Sequence, residues 1–129
     1  MVVSHKAAIV VGISAVVAVL AGQAFNSFAC YEHSLALYLT AVGMFLIIPL
    51  LPALASLATA NPLRAVGACL LLLPWLGFAY YTDCVRPYTG GGASMVYVSV
   101  LLFGTPSSLV GALLTGPVLR IVGVKVGKA

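Results

Sequence analysis

The residues of this 129-residue chain that could do chemistry are few, and the most reactive are its three cysteines. Cys30 and Cys84 each lie in a polar stretch between apolar segments, whereas Cys69 lies inside an apolar segment. If both polar stretches face an oxidising compartment, Cys30 and Cys84 can form a disulfide bond, because such bonds persist only where thiols are not kept reduced. We therefore expect this disulfide. The alternative is two separate thiols.

Enzymatic and metal chemistry have weak support around the same residues. A thiol oxidase that passes electrons to a quinone needs a Cys-x-x-Cys pair, and the chain contains none. Cys30-x-x-His33, with Glu32 inside it and Asp83 beside Cys84, supplies at most half of a zinc site. No nucleophile stands in a recognisable spacing to a base. The sequence therefore predicts no catalytic residue, no metal site and no cofactor.

The composition predicts that these polar stretches are loops between membrane-spanning segments. The chain is 63% hydrophobic and only 6% charged, whereas soluble domains carry about 25% charged residues. Four apolar runs are each long enough to cross a hydrocarbon layer of about 30 Å. They span residues 7–28, 35–58, 63–81 and 95–119. The sequence predicts one all-α integral membrane domain of four transmembrane helices with short loops, in which prolines kink helices 2 to 4. The first run also fits a cleavable signal peptide, but we expect a retained helix.

The basic residues predict how the chain threads through the membrane. Five of the six lie on one side of the predicted helices, namely Lys6, Arg64, Arg120, Lys125 and Lys128. Only Arg86 falls on the other side. The positive-inside rule then places both termini in the cytoplasm. We expect a bacterial inner membrane, with an organellar membrane as the alternative. Single, scattered cations contacting lipid do not form a nucleic-acid-binding surface, so no nucleic acid is expected as a partner.

Small residues recur every fourth position in two of the predicted helices. They are Ser14, Ala18 and Gly22 in the first helix and Ser107, Gly111 and Thr115 in the fourth. Residues spaced by four share one helical face, and small side chains there let two backbones approach closely. We expect these faces to be packing seams within the chain, where the two can pack against each other. The alternative is a seam for the helix of a partner protein.

The aromatic residues concentrate at the end of the bundle opposite the basic residues. A one-sided aromatic belt either anchors the protein at the interface or forms a recognition surface. The candidates for recognition are Tyr31, Trp75, Phe78, Tyr81 and Tyr88.

One stretch in the fourth run predicts a helix break. It consists of Gly104, Thr105, Pro106, Ser107 and Ser108. An interrupted helix can expose backbone groups and hydroxyls to a solute, whereas in a simple proline kink the hydroxyls bond back to their own helix. No acidic residue, basic residue or histidine lies deep in any run, which argues against ion-coupled transport.

The sequence favours a non-enzymatic protein that acts by protein–protein interaction, as an accessory or assembly subunit of a larger membrane complex. An immunity-type protein that binds a membrane-inserting toxin is a special case. The expected partners are other membrane proteins, bound through the small-residue seams or the aromatic face, and the lipid bilayer. The alternative is a homo-oligomeric channel or transporter for a small solute, built around residues 104–108.

Overall fold

A computed structural model describes residues 1–30, 34–81 and 96–127 of the chain. These residues form four helices, which confirms the all-helical prediction. Helix α1 is α-helical over His5–Phe25 and continues as a π-helical segment over Asn26–Cys30. Helix α3 is a single α-helix, Arg64–Tyr80.

Helices α2 and α4 each contain an internal π-helical segment. Helix α2 comprises Leu35–Ala41, the π-segment Val42–Leu46, and Ile47–Leu57. Helix α4 comprises Val96–Ser99, the π-segment Val100–Gly104, and Thr105–Val122. Two short strands, β1 (Val2–Val3) and β2 (Lys125–Val126), pair in parallel. This pairing holds the two termini together at one end of the bundle, called the terminal end below. The opposite end is called the far end.

Side chains at the helix starts explain where the first two helices begin. The Ser4 hydroxyl accepts a hydrogen bond from the Ala7 amide at 3.1 Å, and the Ser34 hydroxyl accepts one from the Leu37 amide at 3.4 Å. Each serine satisfies a backbone donor that has no partner inside the helix. At the other end of the chain, α4 ends at Gly123, whose positive φ of 88° closes the last turn.

Two of the π-segments lie just before a proline. Val42–Leu46 precedes Pro49, and Val100–Gly104 precedes Pro106. A proline ring clashes with the carbonyl four residues earlier and donates no hydrogen bond, and a wider π-turn accommodates this inside a continuous helix. The predicted break at residues 104–108 is therefore not observed: α4 runs without interruption from Val96 to Val122.

Three of the four helices are long and apolar enough to cross a membrane, namely His5–Phe25, Leu35–Leu57 and Val100–Val122. The remaining helix, Arg64–Tyr80, is shorter at 17 residues. The core combines fully buried alanines, such as Ala53, Ala65 and Ala68, with larger apolar residues that include Leu50 and Leu72. Large apolar side chains cover the outside of the bundle instead. Such a surface is unusual for a water-soluble monomer.

Candidate interaction surfaces

Helices α3 and α4 are in backbone contact at Gly67 and Gly111. A Cβ on Gly111 would overlap the Gly67 carbonyl oxygen and lie 3.1 Å from the Ala68 Cα. A Cβ on Gly67 would overlap the Thr115 hydroxyl, which donates to the Gly111 carbonyl at 2.7 Å. The small-residue face of α4 is thus a packing seam within the chain, and its partner is α3 rather than α1.

Ser107 extends this contact towards the far end. Its hydroxyl accepts a hydrogen bond from the Trp75 indole N–H at 2.8 Å. The Trp75 ring also stacks on Phe103, with ring centroids 5.3 Å apart and an interplanar angle of 21°. Trp75, predicted as an outer-face recognition residue, is half-buried and joins α3 to α4. A recognition role would compete with these intramolecular contacts.

Of the other four recognition candidates, the structure describes two. Phe78 and Tyr81 are 52% and 53% exposed at the far end of α3. Tyr31 and Tyr88 lie outside the described residues.

Arg64 has a structural role that its position in a short connection did not indicate. Its Nη1 donates to the Ala112 carbonyl at 2.9 Å and to the Leu113 carbonyl at 3.4 Å. The Leu113 carbonyl would normally accept from the amide four residues later, but that residue is Pro117, which has no N–H. The guanidinium therefore satisfies the acceptor that Pro117 leaves without a donor. The sequence signal was available: a proline late in one helix and an arginine at the start of the helix beside it.

The predicted seam on α1 is not used inside the chain. Ser14, Ala18 and Gly22 are all exposed, and a Cβ on Gly22 would meet nothing within 4 Å. The buried face of α1 is a different stripe, made of Ala8, Gly12, Val16, Val19 and Gln23. The expected packing of the α1 seam against the α4 seam is therefore not observed. Helix α1 packs against the bundle through the face that carries Ala8 and Gly12 instead. At Gly12, a Cβ would meet Leu57 at 2.6 Å.

Part of the exposed α1 seam forms the wall of a groove between α1 and α3. The groove has a volume of about 370 Å³ and lies in the far half of both helices. It is open because Gly22 and Gly77 face it without side chains, and neither would have a neighbour within 4 Å of a Cβ. Phe25 and Tyr80 close its far end, with ring centroids 6.4 Å apart. We call it the α1–α3 groove.

Two amides contribute polarity to the α1–α3 groove. Gln23 and Asn26 line it and are only 6% and 4% exposed. Both have interaction partners in the structure, so neither is an unsatisfied polar group. The groove therefore combines a glycine surface with two buried amide side chains.

Two of the three hydroxyls of the predicted helix break are hydrogen-bonded within the bundle, and Ser107 also lines an open groove of about 250 Å³. Thr105 donates to the Leu101 carbonyl of its own helix at 2.7 Å, and Ser107 is bonded to Trp75. Ser108 is fully buried, and its hydroxyl has no hydrogen-bond partner in the part of the chain that the structure describes. In the structure, these three residues therefore contribute to contacts within and between helices.

The disulfide predicted between Cys30 and Cys84 stays a prediction. Cys30 ends the π-segment of α1, whereas Cys84 lies outside the described residues. Among the described residues, Cys69 is a free thiol buried in α3. No cluster of His, Cys, Asp or Glu with the makings of a metal site is present within residues 1–30, 34–81 and 96–127.

Comparison with known proteins gives no relative: no protein-family model, no curated protein and no solved structure matches this chain.

Proposed function

We propose that this chain is a four-helix integral membrane protein without catalytic activity, which acts as an accessory or assembly subunit by binding the transmembrane helix of a partner protein. The proposed docking surface is the exposed face of α1 formed by Ser14, Ala18 and Gly22, together with the α1–α3 groove. An immunity-type protein that binds a membrane-inserting toxin is a special case of this function.

The observation that carries the proposal is a contrast between two faces of the same type. The small-residue face of α4 packs against α3, with Gly67 in contact with Gly111. The equivalent face of α1 is exposed, and Gly22 has open space before it. In a bilayer, helices associate through close van der Waals packing, which small residues permit. A face suited to close packing and left open within the chain favours a helix from another chain.

The basic side chains support a membrane orientation with both termini in the cytoplasm. Those that the structure describes, Lys6, Arg64, Arg120 and Lys125, all lie towards the terminal end. Lys6 and Arg120 belong to the first and last helices, and Arg64 begins α3 at the same end. The positive-inside rule then supports a cytoplasmic location for this end, in a bacterial inner membrane or an organellar one.

The proposal is tested by purifying the tagged chain from native membranes in a mild detergent and identifying co-purifying proteins by mass spectrometry. Gly22→Leu would fill the proposed surface, and we expect it to lose the partner. Gly43→Leu is the matched control, because Gly43 is also an exposed glycine with nothing within 4 Å of a Cβ, on α2. Retention of the partner by Gly22→Leu would refute the docking surface. A wild-type chain that purifies as a clean homo-oligomer without a partner would refute the accessory-subunit function.

The alternative function, a homo-oligomeric channel or transporter for a small solute, has less support from the geometry. Its proposed polar element is a continuous helix in which Thr105 and Ser107 already have partners. Alanine at both positions would abolish flux through liposomes if the channel proposal were correct. We expect these substitutions to loosen helix packing only.

A further inference from the structure

A second groove lies mainly between α3 and α4, with Val11 of α1 also in its lining, on the half of the bundle nearer the terminal end. Its volume is about 420 Å³, and we call it the α3–α4 groove. Gly67 and Gly111 form its floor, where the two backbones touch. Leu70 and Leu114 stand beside this floor and are 58% and 52% exposed. The groove therefore has apolar walls that rise above a floor of backbone atoms.

The lining of the α3–α4 groove offers an incoming group almost nothing polar. Thr115 is its only side chain with a polar atom, and that hydroxyl already donates to the Gly111 carbonyl at 2.7 Å. A polar occupant would lose its hydrogen bonds there without replacement, which costs free energy. The occupant that fits is a hydrocarbon.

The shape of the groove, with a floor where two backbones touch and exposed leucines beside it, favours a single hydrocarbon chain over a helix. A helix with its side chains is about 10–12 Å across. Its backbone cannot reach a floor between two touching helices whose flanking leucines project outwards. A single acyl chain is much thinner, so it can lie along the floor and contact both glycines.

The charges around the terminal end indicate which lipid supplies the chain. The groove extends to Leu63 and Leu119, and Arg120 follows Leu119 directly. Arg120, Lys6 and Lys125 are all exposed. The residues that the structure describes include no Asp or Glu. A phosphate at this end of the groove would therefore meet positive charge without a competing carboxylate from these residues.

We propose that the α3–α4 groove holds one acyl chain of an anionic phospholipid, whose phosphate lies against the basic side chains at the terminal end, foremost Arg120. The inference uses the membrane location proposed above and is independent of the protein partner. We expect the α3–α4 groove and the α1–α3 groove to have different occupants because their surfaces differ. The α1–α3 groove has glycines that face open space, whereas the glycines of the α3–α4 groove lie between walls.

The test is native mass spectrometry of the purified chain in detergent with equal amounts of phosphatidylglycerol and phosphatidylcholine carrying identical acyl chains. We expect the wild type to retain one phosphatidylglycerol. Leu114→Trp fills the groove and should lose it. Leu109→Trp is the matched control, because Leu109 lies on the same helix, is 51% exposed and does not line the groove. Arg120→Gln should reduce retention about fivefold, the equivalent of about 1 kcal/mol for one surface cation.

Three outcomes would overturn the inference. Retention of lipid by Leu114→Trp at the level of Leu109→Trp would exclude the groove as the site. Equal binding of both lipids to the wild type would exclude the role of the basic residues. Conversion of a wild-type dimer into a monomer by Leu114→Trp would assign the groove to a second copy of the chain. If Leu114→Trp fails to fold, Val118→Trp provides the same test, because Val118 also lines the groove and is 51% exposed.

Discussion

Substituting Gly111 with alanine tests the backbone contact between α3 and α4, on which the described bundle is built. The added Cβ would overlap the Gly67 carbonyl oxygen and lie 2.8 Å from the Gly67 carbonyl carbon. The three atoms nearest to it all belong to the backbone of the opposite helix, so side-chain rotation cannot relieve this overlap. The two helices must move apart, and the packing along α3 and α4 weakens with them.

The expected magnitude is a difference between two effects. Overpacking a well-packed contact costs about 1–3 kcal/mol. Replacing glycine by alanine inside a helix contributes up to about 1 kcal/mol in the opposite direction. Because the overlap is with backbone atoms, we expect the cost to exceed the gain. Gly111→Ala should lower the free energy of unfolding by about 1–2 kcal/mol.

Gly22→Ala is the matched control for this substitution. Gly22 also lies inside an α-helix, but a Cβ there would meet nothing within 4 Å. The control therefore measures the helix-propensity gain without a packing cost. We expect its stability to equal that of the wild type or to exceed it by less than about 1 kcal/mol.

Trp75 provides the signal for the measurement. It is the only tryptophan in the chain, and it contacts Phe103 and Ser107 across the same helix pair. Its fluorescence during an SDS titration in mixed micelles reports separation of α3 from α4, and circular dichroism reports loss of helix. If Gly111→Ala unfolds at the same SDS fraction as Gly22→Ala, the two helices are not in backbone contact and the reasoning fails.

Three further experiments test individual hydrogen bonds by the same SDS titration. Arg64→Met should cost about 0.5–1.5 kcal/mol, because it removes the hydrogen bonds to the Ala112 and Leu113 carbonyls and leaves the Leu113 carbonyl without a donor. The cost should be smaller in a Pro117→Ala background that restores the backbone N–H. An equal cost in both backgrounds would contradict the proposed compensation. A double-mutant cycle of Trp75→Phe and Ser107→Ala, measured by circular dichroism, should show a coupling free energy of about 0.6–1.5 kcal/mol. Additive effects of the two substitutions would mean that the hydrogen bond between these residues contributes nothing to stability. Tyr38→Phe removes the 2.8 Å bond from its hydroxyl to the Leu20 carbonyl and should cost about 0.5–1.5 kcal/mol; an unchanged midpoint would argue against this link between α1 and α2.

The number of helices and their approximate positions follow from the sequence alone. Apolar run length and the scarcity of charge are local properties, so they are present in the chain before it folds. The start of α2 is of the same kind: Ser34 was expected as its cap, and its hydroxyl accepts from the Leu37 amide. The continuity of α4 was missed, because a proline in the sequence does not show whether the helix breaks or widens into a π-turn around it.

The choice of packing faces was decided by tertiary structure. Helix α1 carries two stripes with small residues, and sequence spacing describes both equally well. Ala8 and Gly12 are buried, whereas Ala18 and Gly22 are exposed. Which stripe faces inwards depends on the shape of the helices opposite, as the close approach of Gly12 to Leu57 shows. That shape is present only in the folded bundle, so the sequence does not reveal it.

The roles of Arg64 and Trp75 were likewise settled by the fold. From the sequence, Arg64 indicates which side of a membrane is cytoplasmic, and Trp75 belongs to an aromatic belt. In the structure, they donate hydrogen bonds to acceptors 48 and 32 residues away in the chain. Composition and periodicity describe what each segment is made of, but a hydrogen bond between distant segments requires both to be placed in three dimensions. The sequence by itself determined the helices, and tertiary packing decided which faces are used within the chain and which stay exposed.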